Sequence, residues 1–352
     1  MILRVGDDFS IVPSTFEQYP GVRGHRFGTW STVGRWALGL SYEDGFLHLP
    51  FTVIGTYTEG RKAPPNHLTT ALSIEGPHAD FAYATYREGT RVIDLGRIRL
   101  FCTSLGPADG PALLLVHGWG GDGREWSLHA ESLADRFRVI VPDLRGHGRS
   151  EVPAQGNTPL EMADDLAALV ETLDCGPAVA VGHSMGGQVV NVLAVRHPEL
   201  VRSVVALDPA HGAHGAEVDG IPGRLAEYQE HGSRAAADFV AGAFSAQAPP
   251  GLRTAHIRTM FGTPDHVIAQ AYAGMCTEPE AVGVRPSSEA YLRCRTHLAV
   301  TVWTSAEAAD WEKSTLRVNG SRVEHWPGVG HYLHEEQPQR TEQLIRKWAD
   351  TV

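Results

Sequence analysis

The chain has 352 residues, of which 42% are apolar and 20% are charged, and its formal net charge is −11 at pH 7. Such a composition is ordinary for a soluble globular protein, and the acidic balance disfavours nucleic acid or an anionic membrane surface as a partner, because both attract a basic face. The four cysteines lie far apart without a CxxC pair, so the sequence indicates neither a zinc site nor a disulfide framework.

Residues 1–85 contain no repeat and no motif, and we expect an N-terminal extension of mixed strand and loop there, whose role stays unknown. The opening residues, MILRVGDDFS, lack the basic segment and the long apolar run of a signal peptide. No stretch approaches the ~18 apolar residues of a membrane span. We therefore expect a cytoplasmic protein with no membrane partner, and the sequence leaves the oligomeric state open.

A regular alternation of short apolar strands and amphipathic helices follows this extension. The run PALLLVHGWGG (111–121) is continuously apolar up to its glycines, which is typical of a strand buried on both faces. Strands are predicted at 92–94, 98–100, 178–182, 201–210, 298–303 and 321–326, and at the starts of 111–121 and 138–150. Strands and helices that alternate in such short units predict an α/β fold, with a mostly parallel central sheet flanked by helices.

Residues 211–297 interrupt this alternation, because they look helical and loop-like and contain no clear strand. We interpret them as a helical insertion that covers one edge of the sheet. The strand pattern resumes at residue 298, and TEQLIRKWADTV (341–352) ends the chain as an amphipathic helix. The predicted core therefore has two parts, residues 86–210 and 298–352.

Four polar, glycine-rich loops follow predicted strands: HGWG, DLRGHGRS, GHSMGG and LDPAHG. In an open parallel sheet, ligands bind beyond the carboxyl ends of the strands. We therefore expect the four loops to converge on one crevice that binds a small-molecule substrate.

The loop GHSMGG (182–187) sets Ser184 between two glycines, after a strand and before a helix. One interpretation is a turn in which Ser184 caps the helix. The other is a nucleophile elbow, in which the glycines permit a bend so tight that the serine projects as a nucleophile. A serine nucleophile needs an acid and a base, in the chain order Ser, acid, His, and His331 follows the last strand in GVGHYLHEEQP. The strand context and this order favour the nucleophile.

Four motifs make residues 90–352 resemble the α/β-hydrolase fold superfamily, in particular its serine esterases and lactonases with a cap insertion. The motifs are HGWGGDGREW (117–126), VPDLRGHGRS (141–150), GHSMGG (182–187) and GVGH (328–331). The resemblance implies that Ser184 is the nucleophile and His331 the general base. It also implies an oxyanion hole from the backbone N–H groups of Trp119 and Met185, a cap formed by the insertion, and no metal or organic cofactor.

The acid of the triad has more than one candidate. In the superfamily it commonly follows the strand predicted at 298–303, where TSAEAADWE (304–312) offers Glu307 and Asp310 but no glycine. Its other known location is the loop after the strand that follows the nucleophile helix, where LDPA offers Asp208. The LDPA context and the missing glycine favour Asp208, with Glu307 and then Asp310 as alternatives.

Two His-x-x-His pairs, HGAH (211–214) and HYLH (331–334), have a spacing that can bind a metal ion when both histidines share a helix face. No HEXXH motif accompanies either pair. We therefore expect no metal site, and we expect His211 and His214 to line the mouth of the pocket or to be solvated.

The expected reaction is hydrolysis of a carboxylic ester or lactone of a small, apolar substrate through an acyl-enzyme. A carbon–carbon bond hydrolase or a cofactor-free perhydrolase could use the same triad. A non-catalytic ligand-binding protein on this scaffold is the alternative from another class.

Overall fold

The computed structural model describes residues 89–351 and, before residue 89, the backbone of six strands. The chain forms two compact units, Met1–Thr90 and Arg91–Val352. The strands that precede residue 89 are β1 (Leu3–Val5), β2 (Ile11–Val12), β3 (Arg26–Ser31), β4 (Gly34–Glu43), β5 (Phe46–Tyr57) and β6 (Leu72–Ile74). β1 pairs with β6, and β2 to β5 form an antiparallel sheet. The predicted N-terminal extension falls mostly on residues outside those described.

The second unit is built on a sheet of eight strands. They are β7 (Thr90–Asp94), β8 (Arg99–Leu105), β9 (Ala112–Val116), β10 (Arg138–Pro142), β11 (Ala178–His183), β12 (Val201–Leu207), β13 (Ala299–Trp303) and β14 (Arg322–His325). Their order across the sheet is β14-β13-β12-β11-β9-β10-β8-β7. β9 to β14 run parallel to one another, and β8 runs antiparallel to β10. The predicted mostly parallel central sheet is confirmed.

The helices of this unit connect the parallel strands or belong to the insertion. They are α1 (Ser127–Leu133), α2 (Pro159–Thr172), α3 (Met185–Arg196), α4 (Ala216–Asp219), α5 (Ile221–Ala241), α6 (Pro250–Gly262), α7 (Asp265–Cys276), α8 (Arg285–Leu292), α9 (Ala306–Lys313), α10 (Leu333–Glu336) and α11 (Pro338–Ala349). The Thr158 side chain caps α2 by accepting a hydrogen bond from the Glu161 N–H, with Pro159 in the first turn. The last helix begins at Pro338, three residues before the predicted start, because proline suits the first turn.

The sheet is covered on both faces. β9 and β13 are buried at every residue, which is why their sequences are continuously apolar instead of alternating. Successive side chains of a strand point to opposite faces, and accordingly Leu113 and Leu115 belong to one buried apolar cluster while Leu114 belongs to the other. Helices pack over both faces, as the alternation predicts.

The insertion, residues 211–297, contributes α4 to α8. Its buried side chains, among them Tyr228, Met260 and Ile268, join the apolar cluster that includes Leu114 of the central sheet. The insertion therefore packs on the core and shares its apolar interior. Within the described part of the chain, none of the helices combines the length and the apolar character needed to cross a membrane.

Candidate active site

The site is organised by a sharp bend between β11 and α3. Ser184 occupies this bend with φ 51° and ψ −118°, and its N–H donates to the Leu207 carbonyl at 3.0 Å. A positive φ is costly for a residue with a Cβ, so such a conformation is typical of a functional position. A serine at a sharp bend between a strand and a helix is the setting of a nucleophile elbow.

Close backbone packing explains the two glycines around the serine. A Cβ at Gly182 would lie 2.2 Å from the carbonyl oxygen of Gly186. A Cβ at Gly186 would lie 2.3 Å from the carbonyl oxygen of Val116 in β9. Because both distances are far below van der Waals contact with backbone atoms, a side chain at either position would force the elbow open.

The structure brings together three of the residues singled out from the sequence. His331 Nε2 lies 2.8 Å from Ser184 Oγ, and His331 Nδ1 lies 2.6 Å from Asp208 Oδ2. When Nδ1–H donates to the carboxylate, Nε2 is left to accept the proton of the serine hydroxyl. The arrangement has the geometry of a nucleophile, a base and an orienting acid.

The environment of Asp208 keeps its carboxylate charged. Its Oδ1 accepts two hydrogen bonds at 2.9 Å, from the N–H and from the hydroxyl of Thr304. Burial by itself would raise the pKa of Asp208, but the hydrogen bond and charge of His331, together with the Thr304 hydrogen bonds, hold that pKa below its usual value. The acid can therefore orient and stabilise an imidazolium at His331 without taking its proton. Thr304 was not foreseen from the sequence, since a hydroxyl after a strand is too common to be a signal.

The alternative acids have other partners. Glu307 lies in the first turn of α9, its side chain is 68% exposed, and it pairs with His214 and Arg285. Asp310 pairs with Lys313 at 2.8 Å. The structure therefore brings Asp208 to His331 and directs Glu307 and Asp310 elsewhere.

The two residues predicted for the oxyanion hole belong to segments that lie next to Ser184. Met185 is the first residue of α3, where backbone N–H groups have no partner within the helix. Trp119 follows Gly118, at which a Cβ would lie 3.3 Å from the Ser184 Cβ. The Trp119 indole itself donates to the Ile268 carbonyl of the insertion at 3.1 Å, so the side chain is fixed while its backbone N–H belongs to the loop beside Ser184.

Aromatic side chains of the insertion surround Trp119. Its ring centroid lies 4.9 Å from that of Tyr228 and 5.9 Å from that of Tyr272, and Phe239 lies 6.2 Å from both Trp119 and His331. Phe239 is half-exposed, whereas Trp119, Tyr228 and Tyr272 are buried. These four rings form an aromatic wall that reaches His331 through Phe239.

The histidines of the two His-x-x-His pairs are engaged separately. His211 contacts the buried Glu312 at 3.3 Å, and His214 pairs with Glu307. His331 belongs to the serine site, whereas His334 is buried next to Glu125. Among the described residues, the one group whose donor atoms lie close enough to hold a metal ion is Glu125, His183 and His334, within 4.8 Å of one another. Sequence spacing does not indicate this cluster.

Comparison with known proteins supports the fold. The model of the alpha/beta hydrolase fold family matches residues 111–242. A 2-(acetamidomethylene)succinate hydrolase from Mesorhizobium japonicum is 41% identical over 119 residues, which are 34% of this chain and 42% of that protein. The chain spans about half the length of the curated relatives it matches.

Solved structures match a larger part of the chain. A thermophilic esterase from Thermogutta terrifontis has a TM-score of 0.63 at 26% identity, over 75% of this chain and 99% of the esterase. An E-2-(acetamidomethylene)succinate hydrolase has a TM-score of 0.60 at 27% identity, over 74% of this chain and 98% of that hydrolase. Both relatives are hydrolases.

Proposed function

We propose that this chain, which belongs to the α/β-hydrolase superfamily, is a serine hydrolase that cleaves a carboxylic ester or lactone through an acyl-enzyme. The observation that carries the proposal is the continuous chain of hydrogen bonds from Ser184 Oγ through His331 to Asp208. The lowered pKa of Asp208 supports it, because an ionised acid favours the histidine tautomer that can accept the serine proton.

The reaction would proceed in two halves. Ser184 Oγ attacks the ester carbonyl carbon while His331 Nε2 takes its proton, and the resulting oxyanion is stabilised by the N–H groups of Trp119 and Met185. His331 then gives the proton to the leaving alkoxide, and the acyl group stays on Ser184. In the second half, His331 activates water, which releases the carboxylic acid and restores the serine.

The aromatic wall favours a small substrate with an apolar acyl or alcohol part. Phe239 is half-exposed, packs against Trp119 and lies 6.2 Å from the His331 ring, so it offers an apolar surface beside His331, and desolvation of apolar groups there contributes to binding. The Thermogutta relative is named as an esterase, which agrees with this reaction class.

A fluorophosphonate label tests the proposal and separates it from a non-catalytic binding protein. The purified chain should be labelled stoichiometrically, and Ser184→Ala should not be labelled. Turnover should then be measured on p-nitrophenyl esters of graded chain length and on several lactones, with Ser184→Ala as the blank. Absence of labelling in the folded wild-type protein would contradict the proposal.

A further inference from the structure

The residue before the nucleophile is a buried histidine with two hydrogen-bond acceptors. His183 ends β11, and its Nδ1 lies 2.7 Å from Glu125 Oε1. Its Nε2 lies 2.9 Å from the main-chain oxygen of His331. Because a carboxylate and a carbonyl both accept hydrogen bonds, a proton on either ring nitrogen of His183 has an acceptor within reach.

The carboxylate of Glu125 also contacts the loop that carries Trp119. Its Oε2 accepts a hydrogen bond from the Gly118 N–H at 3.1 Å. Burial would raise the pKa of Glu125, yet the charges and hydrogen bonds of His183 and His334 hold it well below its usual value, so the carboxylate stays an acceptor. Glu125 therefore joins the Gly118 loop to the end of β11.

The main chain at His331 is held from two sides. Its N–H donates to the Ala243 carbonyl of the insertion at 2.7 Å, and its carbonyl accepts from His183. These two bonds fix the peptide groups on either side of the His331 Cα. The orientation of the imidazole relative to Ser184 therefore depends on His183 as well as on Asp208.

We propose that Glu125 and His183 form a positioning pair, which fixes the loop of Trp119 and the backbone of His331 relative to Ser184. The inference rests on the proposed function, because it assigns the pair a role in placing the groups of that reaction. The Glu125 and His183 side chains are each only 1% exposed, so neither can touch a substrate. Their effect must reach the reaction through the residues they hold.

A positioning role makes a kinetic prediction that a purely structural role does not. Small displacements of catalytic groups slow the chemical step, and a misplacement of about 1 Å can cost about 100-fold. Substrate binding depends on the aromatic wall, and the Trp119 indole in that wall is held by its own hydrogen bond to the Ile268 carbonyl of the insertion. Disruption of the pair should therefore lower kcat and leave KM nearly unchanged.

The test compares three variants on the best ester found in the panel. His183→Phe keeps a ring but removes both hydrogen bonds, and kcat should fall by about 10- to 100-fold with KM changed less than about twofold. His183→Gln retains an N–H that can reach the His331 carbonyl and should recover part of the loss. Glu125→Gln can still accept from Gly118 and donate to a neutral His183, so its kcat should fall least. The rate of fluorophosphonate labelling should follow the same order.

His129 provides a matched control. It is also fully buried, and its Nε2 lies 3.1 Å from the main-chain oxygen of His334, three residues beyond His331. His129→Phe removes a comparable buried hydrogen bond without touching the His331 peptide, so it should lower the melting temperature with little change in kcat. If His183→Phe does not fold, Glu125→Gln and His183→Gln are compared with His129→Phe instead.

The outcomes separate the two proposals. If Ser184→Ala still hydrolyses the ester, the proposed serine mechanism is wrong. If Ser184→Ala is inactive but the three variants of Glu125 and His183 match the wild type in kcat, only the positioning pair is overturned. An equal loss of kcat in His129→Phe overturns it as well. So does stoichiometric metal in the purified wild type that is lost in His183→Gln, because Glu125, His183 and His334 would then be ligands.

Discussion

The loops after β12 and β13 leave neighbouring parallel strands at the same edge of the sheet, and each carries a carboxylate that could serve as the acid. Asp208 follows β12 directly, with φ 43°, and is buried against His331 and Thr304. Glu307 lies in the first turn of α9, where it is exposed and forms surface ion pairs. The difference shows that the partner of His331 is decided by where the backbone turns at the strand end, since both loops offer a carboxylate.

The largest expected effect is that of removing the Ser184 hydroxyl. The residual kcat of this variant is the baseline for the other variants. Ser184→Ala should lower kcat on the order of 10⁴- to 10⁶-fold, because the hydroxyl that forms the acyl-enzyme is gone. Steady-state kinetics on the chosen ester measures it, and a melting temperature near that of the wild type serves as the control for folding. A kcat within about tenfold of the wild type would remove Ser184 from the mechanism.

The two acids should differ sharply when each is made neutral. Asp208→Asn should lower kcat by about 10⁴-fold, the loss known for the equivalent change in a serine protease, because the amide can favour the wrong histidine tautomer. Glu307→Gln should leave kcat almost unchanged, since Glu307 contacts His214 and Arg285. If Glu307→Gln lost most of its kcat and Asp208→Asn lost little, the role of the acid would belong to Glu307 in α9.

Adjacent residues of the β13–α9 segment sharpen the comparison. Thr304→Val removes the hydroxyl that donates to Asp208, and kcat should fall by about tenfold, as expected for one hydrogen bond to a charged group. Ser305 caps α9 by accepting from the Ala308 N–H, so Ser305→Ala should cost about 1 kcal/mol of stability and leave kcat unchanged. Measurement of kcat and of the free energy of unfolding in urea for both variants distinguishes the loss of the hydrogen bond to Asp208 from the loss of the helix cap. Equal kcat losses in both variants would mean that the loss comes from destabilising α9 and not from removing the hydrogen bond to Asp208.

The smallest expected effect is the pH dependence of the stability that Asp208 contributes. Because the folded-state pKa of Asp208 is lowered, the ionised group stabilises the fold above its unfolded-state pKa of 3.8, and this contribution is lost as pH falls through the lower folded value. The difference in free energy of unfolding between wild type and Asp208→Asn should therefore shrink below pH 3.8. Urea titrations at several pH values measure it, with Glu307→Gln as the surface control. A difference that grows on acidification would contradict the sign of the shift.

The elements and the bend at Ser184 could be predicted from the sequence because their signals are local. A continuous apolar run of five residues indicates a buried strand, as in β9, and the glycines at 182 and 186 indicate close backbone packing around a tight turn at Ser184. His331 could be predicted from its place after the last strand. Thr304 and Glu125 could not, because a hydroxyl after a strand and a glutamate in a short turn are ordinary features until their partners are known.

The sequence by itself therefore determined the order of strands and helices, the elbow at Ser184 and the candidates for base and acid. The tertiary structure decided which carboxylate reaches His331, since Asp208 and His331 are 123 residues apart in the chain and meet only because parallel strands end at one edge of the sheet. It also decided the buried contact between Glu125 and His183, which are 58 residues apart. Patterns along a chain report how each segment turns and which face it buries, whereas contacts between distant side chains depend on how the segments pack together.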